Sequence, residues 1–223
     1  MNLWDVLFPK LCMGCGAWGG YICSQCLAKI IVRDNQKCPM CEKLSVSGLT
    51  HARCKARLGM DGLLLGFAYS GLLRKMITKF KLSFVSEVLP ELVELWISLA
   101  EWEPIAMHGP WLVTSVPLHP SRLRFRGYNQ AELLAKSLAD YFGFEYREVL
   151  YRTARTAPQS ELTREKRKEN IKGIFAVIDP AMVRGKQILL VDDIWTTGST
   201  MRECGRVLKQ SKASGVWGAT LAG

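Results

Sequence analysis

Beyond residue 60 the apolar positions fall into short continuous runs separated by longer one-sided stripes. Leu63-Leu64-Leu65-Gly66-Phe67-Ala68-Tyr69, Trp111 to Val116, Ile188-Leu189-Leu190-Val191 and Gly215 to Leu221 are the short runs. Such runs are expected of strands buried on both faces of a parallel sheet. Between them, Gly71 to about Leu82 and Val85 to about Ala100 read as helices, with Pro90 an N-terminal-turn or kink feature of the second. Ala131, Leu134, Ala135, Leu138 and Phe142 are spaced for one buried helical face, and Met201 to Lys209 continues the pattern. Glu101 to Pro110, with Pro104, Gly109 and Pro110, reads as a loop. Strands alternating with helices give an α/β domain with a mostly parallel sheet flanked by helices.

The first 58 residues follow another rule. Seven of the eight cysteines lie in the first 54 positions. Cys12-x2-Cys15 is followed by Cys23-x2-Cys26, and Cys38-x2-Cys41 by His51-x2-Cys54. Two thiolates separated by two residues can turn back onto one metal ion, and two such pairs complete a tetrahedral site. The simplest reading is two structural zinc ions in a double zinc ribbon, one held by four Cys and one by three Cys and His51. Spacing alone does not exclude a cross-braced pairing of the knuckles. A lone His is ordinarily a surface or hydrogen-bonded residue, but His51 stands where a fourth Cys would. Four protein ligands per ion leave no open position, so both ions are structural. A module of this size lacks a core and is expected to be folded by its metal. The expected division is a zinc module over 1–58 and an α/β domain over 59–223, with Cys204 a small buried residue of the latter.

Two segments carry candidate ligand chemistry. Asp192 and Asp193 close the run Ile188 to Val191, and Thr196-Thr197-Gly198-Ser199-Thr200 leads into the last helix. Ligands of open α/β sheets bind at the carboxyl ends of strands. A Gly/Ser/Thr turn at a helix start presents unpaired amides and the positive dipole end, which suits a phosphate. The adjacent carboxylates suit a sugar diol or a metal ion. The second segment, Pro117 to Gln130, also follows a buried strand and carries Arg122, Arg124 and Arg126 before Gly127 and Asn129. An Arg-rich loop so placed can hold a second phosphate group through bidentate contacts.

Thirty Lys and Arg against twenty Asp and Glu give a net charge of +10, which favours a polyanionic partner or a basic site for a phosphorylated ligand. The densest basic run, Arg152 to Lys172, is interleaved with Glu161, Glu165 and Glu169. It reads equally as a nucleic-acid contact and as a solvated helix face. No G-x-x-x-x-G-K-[ST] loop occurs, which argues against a Walker-type ATPase. No apolar run reaches transmembrane length, and Met1 to Leu11, with Asp5 and Pro9, is unlike a signal peptide. A cytosolic protein without membrane insertion is expected, its last strand at Gly215 to Leu221 leaving no further domain.

The stretch from Ile188 to Thr200 resembles the ribose-5-phosphate motif of the phosphoribosyltransferases. That resemblance implies a type I phosphoribosyltransferase-like fold. Asp192 and Asp193 would hold the ribose hydroxyls of phosphoribosyl pyrophosphate, and Thr196, Thr197, Gly198, Ser199 and Thr200 its 5-phosphate. The stretch Val116 to Ala135, the cysteine module and the segment Arg155-x3-Gln159 through Arg167-x2-Asn170-x2-Gly173-x-Phe175 together resemble the ComF family. By that resemblance, Leu118, His119, Arg124, Arg126 and Gly127 hold pyrophosphate with magnesium. Arg155, Gln159, Arg167 and Asn170 belong to a flexible loop over the site. The one departure is His51, where a Cys is usual.

The resemblance further implies a role in natural transformation, handling incoming single-stranded DNA alongside competence-machinery proteins. Tyr128, Trp195 and Trp18 are candidate stacking platforms, although buried packing is the ordinary fate of each. The alternatives are a true phosphoribosyltransferase of nucleobase or nucleotide metabolism and a non-catalytic phosphoribosyl pyrophosphate sensor. No segment identifies an acceptor site.

Overall fold

A computed structural model describes residues 10–82, 89–100, 102–106, 109–153 and 171–223. Five parallel strands form the central sheet: β1 (Gly62–Phe67), β2 (Trp111–Ser115), β3 (Glu145–Tyr146), β6 (Gln187–Ile194) and β7 (Gly215–Ala222). Their spatial order is β1-β7-β6-β2-β3. A separate antiparallel pair, β4 (Leu150–Arg152) and β5 (Phe175–Val177), aligns Arg152 with Phe175.

The strands read as continuous apolar runs because alternate residues feed two cores. Leu64, Trp111, Val113, Leu189 and Val191 face one side, and Leu63, Leu65, Leu112, Ile188 and Leu190 the other. On the first side lie α2 (Gly71–Leu82), α3 (Leu89–Leu99) and α6 (Gln130–Phe142). Their buried stripes are Leu73-Met76-Ile77, Leu92-Val93-Trp96 and Leu134-Ala135-Leu138. On the second side lie α7 (Ser199–Gln210), through Met201, Cys204, Val207 and Leu208, and the β4–β5 pair. Pro90 sits in the first turn of α3, where its missing N–H costs nothing.

Two predicted loops contain short helices. Glu103–Ala106 forms α4, with Pro104 in its first turn and Trp102 and Ile105 buried beside it. Pro120–Arg126 forms α5. Its signals are local: His119 as N-cap, Pro120 at the first helical position and Gly127 at φ 78° as the left-handed stop.

The chain leaves β2 through α6 toward β3 and leaves β6 through α7 toward β7, in opposite directions and on opposite faces. Since β2 and β6 are neighbours (Ser115 opposite Val191), a crevice opens between their carboxyl ends, the topological switch point at which such sheets bind ligands.

The cysteine-rich module, which includes α1 (Ser24–Leu27), lies along β1. Val32 bridges Phe67 and Leu49 bridges Gly62, both antiparallel. Between them the Gln36 side chain acts as a backbone substitute. Its Nε2 donates to the Leu65 carbonyl (3.0 Å), and its Oε1 accepts from the Leu65 amide (2.8 Å). No helix among the described residues is long and apolar enough to cross a membrane.

Candidate functional site

At the switch point lies a cavity of about 280 Å³, near the small end of the roughly 300–1,000 Å³ usual for ligand pockets. Its walls come from the ends of β2, β4 and β6, from α5 and the start of α6, and from Tyr69 beyond β1.

One wall holds the carboxylates. Asp192 and Asp193 occupy the last turns of the β6 pleat and therefore diverge. Asp192 accepts from the Asp193 amide (2.8 Å) and lies on the α7 side. There, burial first and Asp192 second hold the Cys204 thiol well above its ordinary value, so Cys204 is protonated and inert. Asp193 lies on the opposite side, where its charge reaches Arg126. Both carboxylates line the cavity.

The loop after β6 closes one end. Thr196 and Thr200 line the cavity, while Thr197, Gly198 and Ser199 frame the turn. Thr197 Oγ1 lies 2.9 Å from Ser199 Oγ. Gly198 is the N-cap of α7 at φ 65°, and a Cβ there would stand 2.1 Å from the Trp195 ring. Only glycine satisfies both the backbone angle and the approach. The first-turn amides of α7, which have no intrahelical acceptors, converge on this turn. Trp195 is 4% exposed, so it is a packing residue and not a stacking platform. Tyr128 is half-buried, and Trp18 is 71% exposed on the first knuckle.

The opposite wall is built from arginines. Because α5 is helical, Arg122 and Arg126, four apart, share the face that lines the cavity, and exposed Arg124 is not among the lining residues. Arg152, at the end of β4, supplies the third guanidinium. Burial, reinforced by repulsion from Arg122, holds both Arg126 and Arg152 below the ordinary arginine range. Arg126 Nη1 donates to Gln130 Oε1 (3.1 Å), and Asn129 fixes the segment by capping Ala131 and donating to the Val116 carbonyl. His119 lines the cavity beside Leu118, and its Nδ1 accepts from the Ser121 amide (3.2 Å), which caps α5. Gly127 lies at the helix stop, outside the lining. Three like charges, two of them (Arg126 and Arg152) partly desolvated, face two carboxylates and form a site that an anion would stabilise. Arg155, Gln159, Arg167 and Asn170 lie outside the described residues.

Sequence reasoning placed Arg122 in the Arg-rich loop but gave the pyrophosphate to Arg124 and Arg126, and it left Arg152 and Tyr69 out of the site. The i, i+4 spacing of Arg122 and Arg126 was a usable signal once α5 is recognised from its caps. Arg152 lies at the end of β4 and Tyr69 just beyond β1, and neither carries a local signal.

Two further clusters can hold a metal ion. Cys12, Cys15, Cys23 and Cys26 form one, and Cys38, Cys41, His51 and Cys54 the other, with all ligand atoms of each within 4.8 Å of one another. The grouping is sequential, which resolves the pairing left open by the spacing. The donor sets fit zinc: Cys15 and Cys23 sulfurs are 3.6 Å apart, against about 3.8 Å for two ligands of a tetrahedral ion with Zn–S near 2.3 Å. His51 Nε2 donates to the Leu44 carbonyl (2.9 Å), which leaves Nδ1, 3.3 Å from Cys41 Sγ, as the ligating nitrogen.

A family model for the phosphoribosyl transferase domain matches residues 129–222. The DNA utilization protein YhgH of Escherichia coli (strain K12) is 32% identical over 219 residues, covering 93% of this chain and 94% of that protein. The competence protein ComFC of Streptococcus pneumoniae is 27% identical over 198 residues, covering 87% and 84%. Among solved structures, the allosteric regulatory enzyme of purine biosynthesis matches with a TM-score of 0.37 at 18% identity, over 60% of this chain and 24% of that one. The parallel sheet, the switch-point site and the sequential cysteine clusters agree with the full-length likeness to YhgH and ComFC, and the chain belongs to the ComF family.

Proposed function

We propose that the switch-point cavity binds phosphoribosyl pyrophosphate, and that the protein acts in the cytosol on incoming single-stranded DNA. The observation that carries the ligand reading is the polarity of the cavity: three arginines on one wall, two carboxylates on the other, and a Gly198 turn at the end. In this reading the Thr196–Thr200 turn holds the 5-phosphate through amides and hydroxyls. Asp192 and Asp193 accept from the ribose hydroxyls, while Arg122, Arg126 and Arg152 hold the pyrophosphate. Magnesium, when bound with the ligand, supplies charge neutralisation at the pyrophosphate. Asp192 and Asp193 are the acidic side chains in the described lining able to share it. Zinc in the two cysteine clusters is structural, because each offers four protein ligands.

The DNA reading is supported by the names of the relatives, one a DNA utilization protein and one a competence protein. It is also supported by Phe125, 72% exposed on α5, and by Tyr151, 46% exposed beside Arg152. An exposed aromatic among arginines is the chemistry of a single-strand platform. Partners among competence-machinery proteins remain part of this proposal.

A second reading, phosphoribosyl transfer, is favoured by the carboxylates alone: placed at the ribose, they would stabilise positive charge developing at the anomeric carbon as pyrophosphate leaves. Fold by itself does not establish that activity.

The test is calorimetric titration of the zinc-loaded protein with phosphoribosyl pyrophosphate and magnesium. Saturable binding by the wild type, lost in Asp192→Ala/Asp193→Ala, supports the site. Absence of binding by folded wild type rejects it. Pyrophosphate release on adding bases, nucleosides or DNA distinguishes transfer from binding alone.

A further inference from the structure

Arg202, the fourth residue of α7, touches two regions that lie far apart in the sequence. Its Nη1 donates to the Thr197 carbonyl (2.8 Å), the peptide group just ahead of Gly198. Its Nη2 pairs with Glu42 Oε1 (2.8 Å), and its Nε donates to the Pro39 carbonyl. Pro39 and Glu42 belong to the turn Cys38-Pro39-Met40-Cys41-Glu42, which carries two ligands of the second cluster. The guanidinium also lies over the Trp195 ring, 5.1 Å from its centroid, the ring against which Gly198 is pressed.

A guanidinium is a rigid planar fork, so it serves three acceptors at once only while they keep one relative geometry. On one side the acceptor is the anion turn. On the other side the acceptors are a knuckle of a module too small to hold its shape without metal. The side chain is 20% exposed, so little water competes for these bonds. The first cluster meets the core elsewhere, where Lys79 Nζ on α2 donates to the Met13 carbonyl.

We propose that Arg202 is a positioning residue that couples the second metal centre to the anion turn. Metal in the Cys38–Cys41–His51–Cys54 cluster fixes Pro39 and Glu42, these orient Arg202, and Arg202 holds the Thr197–Gly198 peptide in its phosphate-accepting conformation. The inference rests on the phosphate reading of that turn and adds a control to it. Because linkage is reciprocal, phosphate on the turn tightens metal at the second centre by the factor by which metal tightens phosphate.

The probe is ribose 5-phosphate, which presents the 5-phosphate without a pyrophosphate group that would itself sequester zinc. In a chelator competition titration of the wild-type protein, saturating ribose 5-phosphate should raise the zinc affinity of one of the two centres by about 5- to 20-fold and leave the other unchanged. In calorimetry, Glu42→Gln and Arg202→Met should each weaken ribose 5-phosphate by a similar factor with two zinc ions retained. The double variant should be no weaker than Arg202→Met, since Glu42 acts through Arg202. Arg202→Lys, which keeps the charge and loses the fork, should behave as Arg202→Met does. Zinc affinity in the wild type that is indifferent to bound ribose 5-phosphate overturns the coupling and leaves the ligand assignment standing. Wild type that binds neither ribose 5-phosphate nor phosphoribosyl pyrophosphate overturns both.

Discussion

The two segments that face each other across the cavity follow neighbouring parallel strands, yet they are built from different materials. The turn after β6 is made of backbone. Its shape is set by Gly198 at φ 65° against Trp195 and by hydroxyls bonded to each other. The segment after β2 is made of side chains, with α5 holding Arg122 and Arg126 toward the cavity. A backbone turn has few alternative shapes, so it selects for size and geometry. Arginines on long stems select for charge and tolerate variation in what carries it. In the second wall burial and mutual repulsion oppose the empty state.

If that contrast is right, Gly198→Ala has the largest effect. The added Cβ meets the indole at 2.1 Å, so the turn must rebuild. Calorimetry should show affinity for phosphoribosyl pyrophosphate falling by roughly 100-fold or more, and denaturant titration a loss of about 1–3 kcal/mol. Arg122→Met and Arg126→Met come next. Each removes a charge-assisted contact worth about 1.5–3 kcal/mol, so affinity should fall by roughly 10- to 100-fold. The ligand-free protein, relieved of repulsion, should melt no earlier than wild type. Arg124→Met, outside the lining, should leave affinity within about 2-fold. Arg124→Met matching Arg126→Met would mean that α5 does not present the face described. His119→Ala removes the α5 cap and should cost about 1 kcal/mol, with a few-fold loss of affinity and no change in zinc content.

An effect on stability alone belongs to Glu203 on α7, which accepts from the Gly173 amide and from Arg206. Burial would raise its carboxyl, but Arg206 and the Gly173 amide outweigh it and hold it below the ordinary 4.5. A depressed folded value means that this stabilisation is present above pH 4.5 and is lost as pH falls through the folded value. Glu203→Gln should therefore cost about 1 kcal/mol at pH 7. The gap from wild type should close in unfolding titrations carried below pH 4.5.

The same contrast explains what could be read without coordinates. The backbone-built turn is contiguous, so Asp192 to Thr200 announces itself in the sequence. The side-chain wall is not. Read as a loop, the three arginines at alternate positions look equivalent; wound into α5, they divide, and Arg124 turns out while Arg122 turns in. Arg152 joins them only because β4 ends beside α5, a fact of tertiary structure. Buried strands and one-sided helices were legible because hydrophobic period is local. α4 was missed because the prolines around it suggested a break, while Pro104 fits within a first turn. The metal clusters were legible as ligands and, on the simplest reading, as sequential pairs, although knuckle spacing alone does not exclude a crossed arrangement.

The pairing of the cysteine-rich module with β1 bears on how the protein behaves when metal is scarce. β1 is an outermost strand whose six residues, Gly-Leu-Leu-Leu-Gly-Phe, are all buried, and the Gln36 amide and the Val32 and Leu49 bridges occupy its outward hydrogen-bonding groups. If the module unravels on losing its ions, an uncharged apolar edge is uncovered and becomes a template for strand addition by another copy. Zinc would then act as a guard against aggregation, and a chelated sample should cloud before its α/β core melts.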